Sequence, residues 1–190
     1  MDEKKAIAAV QDFLAAMDID LAEEGMERTP ERVVKLYEYL FSGRGKATAS
    51  LWGELFPTPA RGIIAVRQIP FYSMCEHHLV PFFGEVQIAY VPREGRVAGF
   101  SKFMKLVELI AHRPQLQERF TRQLTDAVQR DLAADGVLVI VEAQQLCMTM
   151  RGDAAPGART VTSESVGCLA SGTRRYQEAW LLLMKVGKDA

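Results

Sequence analysis

Hydrophobic and polar positions follow two different periods along this chain, and each period marks its own set of elements. Apolar residues recur with helical spacing in five segments, at 3–17, 30–42, 101–112, 114–134 and 174–186. Alternating or β-branched apolar runs, typical of strands, occupy 63–69, 85–91, 137–143, 145–151 and 159–166. The order is two helices, two strands, two helices, two or more strands and a closing helix.

This order predicts one α+β domain with a helical extension at its N-terminus. We place the extension at residues 1–60 and the domain at residues 61–190. Thr29 and Ser101 are expected to cap the helices that begin there, and Pro114 is expected to open the longest helix. The core of the domain has the order strand-strand-helix-helix-strand-strand.

The composition narrows the kinds of partner. The 190 residues carry a formal net charge of −1, with 25% charged and 48% hydrophobic residues. Neither general nucleic-acid binding nor membrane binding is therefore expected, and an anionic ligand would have to be held by a few local cations. The first residues lack a signal-peptide pattern and no apolar run approaches transmembrane length, which predicts a cytoplasmic protein.

The chemistry of the chain is concentrated at Cys75-Glu-His-His78, in the connection between the first two predicted strands. A Cys-x-x-His pair can place a thiolate and an imidazole on one side of a tight turn, where they share a tetrahedral zinc ion. Cys147 is a candidate third ligand, and three protein ligands with an open position are the pattern of a catalytic zinc site. The alternative is a place in the core, since free cysteine is often a small buried hydrophobe.

Five motifs, taken in chain order, resemble those of the GTP cyclohydrolase type I family. They are Ser73-Met-Cys-Glu-His-His78, Gly99-Phe-Ser-Lys102, Arg113-Pro-Gln-Leu-Gln-Glu-Arg119, Cys147-Met-Thr-Met-Arg-Gly152 and Arg159-Thr-Val-Thr-Ser163. The resemblance covers residues 29–165. It implies a tunnelling fold, in which two helices pack on an antiparallel sheet, and a toroidal homodecamer with active sites between subunits. The implied reaction converts GTP to 7,8-dihydroneopterin triphosphate and formate, the first step towards tetrahydrofolate and other pterins.

The resemblance also assigns the metal chemistry. Cys75, His78 and Cys147 would be the zinc ligands, and the metal would activate a water for attack on C8 of the guanine ring. His77 would be an acid/base group beside them, a role that suits imidazole because it titrates near physiological pH.

The remaining site residues would bind the substrate. Gln117 and Glu118 would read guanine, with the Glu118 carboxylate accepting from two adjacent N–H groups of the base. Without the resemblance, the favoured explanation of Glu118 is one more exposed charge on a helix. The triphosphate would be held at a helix N-terminus by Ser101 and Lys102. Arg151 and, from another subunit, Arg32 would add bidentate phosphate contacts.

Two positions depart from the family pattern. Gln145 stands two residues before the second zinc cysteine, where the family usually carries a histidine. Glutamine can hydrogen-bond a substrate or a water, but it cannot transfer a proton near pH 7. Lys105 stands where an arginine is common among the triphosphate ligands, and lysine cannot reproduce the planar bidentate fork.

These departures leave three hypotheses open. The protein completes the cyclohydrolase reaction, with His77 covering the missing proton transfer. Alternatively, it releases an early product such as the formamidopyrimidine nucleotide, or acts on a related purine nucleotide. The third hypothesis is a non-catalytic, zinc-stabilised nucleotide-binding assembly. The nitrile reductases that share the fold fit less well, because they need a metal-free thiol and a nicotinamide site.

Overall fold

The computed structural model of the protein describes residues 1–23, 25–93, 95–150 and 157–184. The chain divides into two compact units, Met1–Ser42 and Gly43–Ala190. The first unit contains two helices in contact with each other, α1 (Glu3–Ala15) and α2 (Thr29–Leu40). Thr29 was expected to be the cap of α2, but Arg28 occupies that position and Thr29 is the first helical residue. The division into a 1–60 extension and a 61–190 domain stays a prediction.

The second unit mixes strands and helices, which confirms the predicted α+β class. A 3₁₀ turn at Ala49–Leu51 precedes the first strand. The elements that follow are β1 (Phe56–Pro57), β2 (Ile64–Cys75), β3 (Pro81–Val91), β4 (Arg96–Val97), α3 (Ser101–Ala111), β5 (Pro114–Gln115), α4 (Gln117–Asp131), β6 (Gly136–Gln145), α5 (Leu146–Thr149), β7 (Thr160–Gly167) and α6 (Arg174–Met184). Within the described ranges, every helix is too short or too polar to cross a membrane.

Five strands form the main sheet in the order β5-β2-β3-β6-β7. The pairs from β2 to β7 are antiparallel, while β5 lies parallel to the end of β2 and pairs Pro114 with Met74 and Gln115 with Cys75. The prediction that Pro114 opens a helix is therefore wrong. The end of β2 offers an edge for pairing, so the chain stays extended through Leu116 before α4 begins.

The sequence also predicted a strand at 145–151, and this prediction is wrong for the described part of that segment. The strand β6 ends at Gln145, which pairs with Phe82 near the start of β3. Beyond that point β3 has one residue left, Pro81, which has no amide hydrogen to donate. The next residues instead form the short helix α5. A brief apolar run fits either element, and here the length of the neighbouring strand decides.

Alternation along the strands builds a core on each face of the sheet. On one face, Val137, Val139 and Val141 of β6 join the buried side chains of α3 and α4, which include Phe103, Leu106, Ile110, Phe120, Leu124 and Val128. On the other face, Leu138 and Ile140 join Ala179 and Leu183 of α6. A strand buried on both faces explains why 137–141 is a continuous apolar run. The helices α3 and α4 thereby fix the sheet whose end carries the candidate site.

Candidate metal centre and substrate site

Antiparallel pairing brings the chemistry-bearing residues to one end of the sheet. The strand β2 ends at Cys75 and β6 ends at Gln145, while β7 begins at Thr160. Thr160 pairs with Ala143 of β6, and Cys75 pairs with Gln115, two residues before α4 begins. Residues far apart in the sequence therefore meet where these strands end or begin.

A tight turn connects β2 to β3 and carries the first two candidate ligands. The Cys75 amide donates to the Val80 carbonyl at 2.9 Å, and the Leu79 amide donates to the Cys75 carbonyl at 2.8 Å. Leu79 adopts a left-handed conformation with φ of 51°, which lets the chain reverse within four residues. This closure places His78 beside Cys75, as the Cys-x-x-His spacing predicted.

The third candidate ligand comes from α5. The ligand atoms of Cys75, His78 and Cys147 all lie within 4.8 Å of one another. A tetrahedral zinc ion with bonds of about 2.0–2.3 Å holds two sulfurs and a nitrogen about 3.6–3.8 Å apart, so small side-chain rotations would close this set on an ion. Cys75 is buried, Cys147 is half-buried and His78 is exposed. Thiolate and imidazole donors with one exposed side suit a metal centre that a ligand can reach.

An ion pair ties the turn to α4. Both terminal nitrogens of Arg119 donate to Glu76, with Nη1–Oε2 and Nη2–Oε1 distances of 2.5 and 2.9 Å. The hydrogen bonds from Arg119 hold the pKa of the Glu76 carboxyl below its usual range, and the same contact raises the pKa of Arg119. The bidentate geometry fixes the turn that carries the candidate ligands against the first turn of α4, where Glu118 lies.

A side-chain network reaches the cluster through Gln145. Gln117 is 5% exposed, and its Nε2 donates to the carbonyls of Val141 at 3.0 Å and Thr160 at 3.1 Å. Its Oε1 accepts from Gln145 Nε2 at 2.7 Å and from Thr160 Oγ1 at 2.5 Å. Gln145 Oε1 in turn lies 4.0 Å from Cys147 Sγ. The network connects the start of α4 to the residue next to the candidate metal centre.

The other predicted site residues lie at helix starts or in the turn. His77 is exposed, with its ring 6.2 Å from that of His78. Glu118 is exposed in the first turn of α4. The start of α3 holds Ser101 and Lys102, with Lys105 exposed further along; Ser101 is the first helical residue and Phe100 occupies the cap position, which corrects the expected Ser101 cap.

Two further phosphate ligands, Arg32 and Arg151, were predicted from the resemblance. Arg32 is exposed in the first turn of α2, within the first compact unit. Arg151 lies outside the described residues. The roles that the resemblance implies for all these side chains stay predictions.

Thr160 and the Glu76–Arg119 ion pair are site features that the sequence reasoning missed. Arg119 and Glu76 are 43 positions apart, and Thr160 and Gln117 are also 43 positions apart. No periodic signal connects residues at such separations. Their places inside family-like motifs were the available clue, since the motifs that contain Glu76, Arg119 and Thr160 had been identified.

The fold and the site together define an α+β protein with a candidate Cys₂His metal centre at one end of an antiparallel sheet. A sequence profile of the GTP cyclohydrolase I family matches residues 6–183. The GTP cyclohydrolase 1 of Halalkalibacterium halodurans is 44% identical over 183 residues, covering 96% of this chain and 97% of that protein. The GTP cyclohydrolase 1 of Carboxydothermus hydrogenoformans is 43% identical over 183 residues, covering 96% and 95%.

Similar coverage is found for a third relative. The GTP cyclohydrolase 1 of Desulforamulus reducens is 44% identical over 184 residues, or 97% of this chain and 98% of that protein. A crystal structure of the archaeosine synthase QueF-Like in the apo form aligns with a TM-score of 0.47 and 19% identity, covering 57% of this chain and 96% of that chain. The chain belongs to the GTP cyclohydrolase I family.

Proposed function

We propose that this protein is a zinc-dependent GTP cyclohydrolase that converts GTP to 7,8-dihydroneopterin triphosphate and formate. The observation that carries the proposal is the grouping of Cys75, His78 and Cys147 within 4.8 Å in a chain of this family. Identity of 43–44% over nearly the full length of several proteins named GTP cyclohydrolase 1 supports the same reaction.

The candidate ligands suit zinc among the common metals. Two thiolates and an imidazole favour zinc over magnesium or calcium, which prefer oxygen ligands. A bound zinc ion would supply a Lewis acid and lower the pKa of a water, which is the chemistry that hydrolysis of the guanine imidazole ring requires. The protein's part is to hold this centre in place, and the Glu76–Arg119 ion pair supports the turn that carries two of the ligands.

Recognition of guanine is assigned to the start of α4. The carboxylate of Glu118 would accept from the two adjacent N–H groups on the guanine edge, a pair that adenine lacks. Arg119 follows Glu118 directly, and its guanidinium is engaged by Glu76. Gln117 would support the first turn of α4, since its side chain makes four hydrogen bonds to other protein groups.

The triphosphate would lie at the N-terminus of α3. Ser101 and Lys102 occupy its first turn, where the positive end of the helix dipole favours anions. Lys105 would add a point charge one turn later. We also assign Arg151 and, from a neighbouring subunit, Arg32 to this group. Local cations of this kind would allow a chain of net charge −1 to bind a polyanion.

The tunnelling fold, the homodecamer and the cytoplasmic location are parts of the same proposal. An antiparallel β2-β3-β6-β7 sheet under α3 and α4 is compatible with the tunnelling arrangement. The strand β7 lies at the edge of the sheet, so its outer hydrogen-bonding groups offer a place for another subunit to pair. An active site completed by Arg32 of a neighbour requires such an assembly.

A second candidate function is the release of an early product, and Gln145 is the observation that favours it. General acid/base groups contribute about 10²–10⁴-fold to a rate, so the absence of a proton-transferring side chain here could let an intermediate accumulate. His77, exposed beside His78, is the residue that would carry the proton transfers in the complete reaction.

The experiment is to incubate zinc-loaded protein with GTP and follow formate release and product mass together. Formate with a dihydropterin triphosphate is the expected result. A product heavier than GTP by one water, without formate, would establish the early-product function. No consumption of GTP would refute both. Cys147→Ser is expected to abolish turnover and zinc binding, whereas Cys168→Ser, at a cysteine outside the cluster, serves as the matched control.

A further inference from the structure

We infer that Gln145 turns its carbonyl oxygen, and not its amide nitrogen, towards the candidate metal centre, and that Gln117 is the positioning residue that sets this orientation. Gln145 thereby offers an acceptor for a hydrogen-bond donor bound at the centre, such as a water or an N–H group of the substrate. The identity of that donor rests on the proposed function. The orientation itself follows from the hydrogen bonds of the protein.

The hydrogen-bond partners of Gln117 allow one orientation of its side-chain amide. Its nitrogen lies 3.0 Å from the Val141 carbonyl oxygen and 3.1 Å from that of Thr160. Both partners are acceptors only, and the amide nitrogen is the atom of a glutamine side chain that has two hydrogens to donate. Rotating the amide by half a turn would set its oxygen against two carbonyl oxygens in a buried place. The hydrogen-bond partners therefore determine which end is oxygen.

The orientation of Gln117 then fixes that of Gln145. Gln117 presents its oxygen to the 2.7 Å contact with Gln145, so the atom of Gln145 at that contact has to be the donor nitrogen. The same nitrogen, Gln145 Nε2, lies 3.5 Å from Thr160 Oγ1. The amide nitrogen is thus held on the inner side of the network, and the oxygen lies on the side of Cys147, 4.0 Å from its sulfur.

This arrangement determines what Gln145 can do at the site. As a metal ligand, Cys147 is a thiolate and has no hydrogen to donate to Gln145 Oε1. The oxygen is then available to a donor that enters the centre. Because an amide oxygen neither gains nor loses a proton near neutral pH, Gln145 orients such a donor without transferring its proton. A histidine at the same position could do both.

The orientation is tested by thermal unfolding of metal-free protein at pH 8. Gln145→Glu replaces the inward nitrogen by an anionic oxygen facing Gln117 Oε1, whereas Gln145→Met places no charge there. The Glu variant is expected to lower Tm by about 2–10 °C relative to wild type and by more than the Met variant does. Gln144→Glu is the matched control, because the neighbouring side chain points to the other face of β6. A Gln145→Glu protein as stable as wild type would overturn the orientation.

The acceptor role is tested with GTP and with Co²⁺ as a spectroscopic probe of the centre. Gln145→Met is expected to lower kcat for formate release about 10–100-fold, while KM and the dissociation constant of Co²⁺ change by less than about three-fold. Unchanged kcat, or weakening of Co²⁺ binding in step with kcat, would overturn the role. Wild-type protein that does not turn over GTP would refute the proposed function alone, since the unfolding comparison decides the orientation without substrate.

Discussion

Replacing Gly84 by alanine is expected to separate β3 from β6 at the site end of the sheet. Gly84 pairs with Ala143, and an added Cβ would lie 2.0 Å from the Glu142 carbonyl oxygen and 2.8 Å from the Ala143 Cα. Both of these atoms belong to the backbone of β6. No side-chain rotation can therefore relieve the contact, and one strand has to move.

The size of the effect follows from this contact. Overpacking a closely packed region costs about 1–3 kcal/mol, and a clash with backbone lies at the upper end of that range. In a chain of this size, 1 kcal/mol corresponds to about 2–4 °C, so Tm should fall by about 4–12 °C. Two positions further along the pairing, Phe82 faces Gln145. A shift of β6 would therefore weaken the Gln145–Gln117 hydrogen bond, and kcat should fall as well.

The assay is thermal unfolding followed by steady-state kinetics with GTP, using Gly62→Ala as the control. A Cβ at Gly62 would meet no atom within 4 Å, and its φ lies outside the left-handed region. This control should leave stability unchanged or raise it by about 0.4–1 kcal/mol, because alanine reduces the entropy of the unfolded chain. Equal Tm values for the Gly84→Ala and Gly62→Ala proteins would refute the reasoning.

Three further predictions concern the turn and its supports. Ser73 is buried and donates to the Ala111 carbonyl at 2.6 Å, which also accepts from the Arg113 amide, so Ser73→Ala should cost about 0.5–1.5 kcal/mol in urea unfolding; an unchanged midpoint would contradict this. Arg119 lowers the pKa of Glu76, so the ion pair stabilises the fold above the unfolded-state pKa and this stability is lost as pH falls through the folded-state pKa. Stability should therefore decline more steeply in acid for wild type than for Glu76→Gln, and parallel curves would disprove it. Leu79 has φ of 51°, so Leu79→Gly should unfold at a higher temperature than Leu79→Val, and the reverse order would be inconsistent with strain at that residue.

Element types followed well from periodicity, and the errors lie where strand pairing decided the outcome. The spacing of Phe120, Leu124 and Val128 identified α4 correctly, because these residues all face one core. The start of α4 was predicted at Pro114, and this was wrong because pairing with the end of β2 keeps Pro114 in an extended conformation. Likewise, residues after Gln145 were expected in a strand but form α5. Local pattern carries no information on where a distant strand begins or ends.

The candidate ligands were accessible from the sequence for a chemical reason. Cys75 and His78 are three positions apart in the chain, and this short separation already limits the distance between their side chains. Cys147 could be proposed because thiolate is a zinc ligand and few cysteines were available. The structure adds that β2 and α5 bring the third ligand to the first two.

By itself, the sequence determined the kinds of groups available: the thiols and imidazole of the candidate ligands, the local cations and the amide of Gln145. Only the tertiary structure decided how those groups are directed. The orientation of Gln145 depends on Gln117, which depends on carbonyls of β6 and β7. Hydrogen bonds are directional and act over short distances, so their pattern exists only once distant segments have been brought into contact.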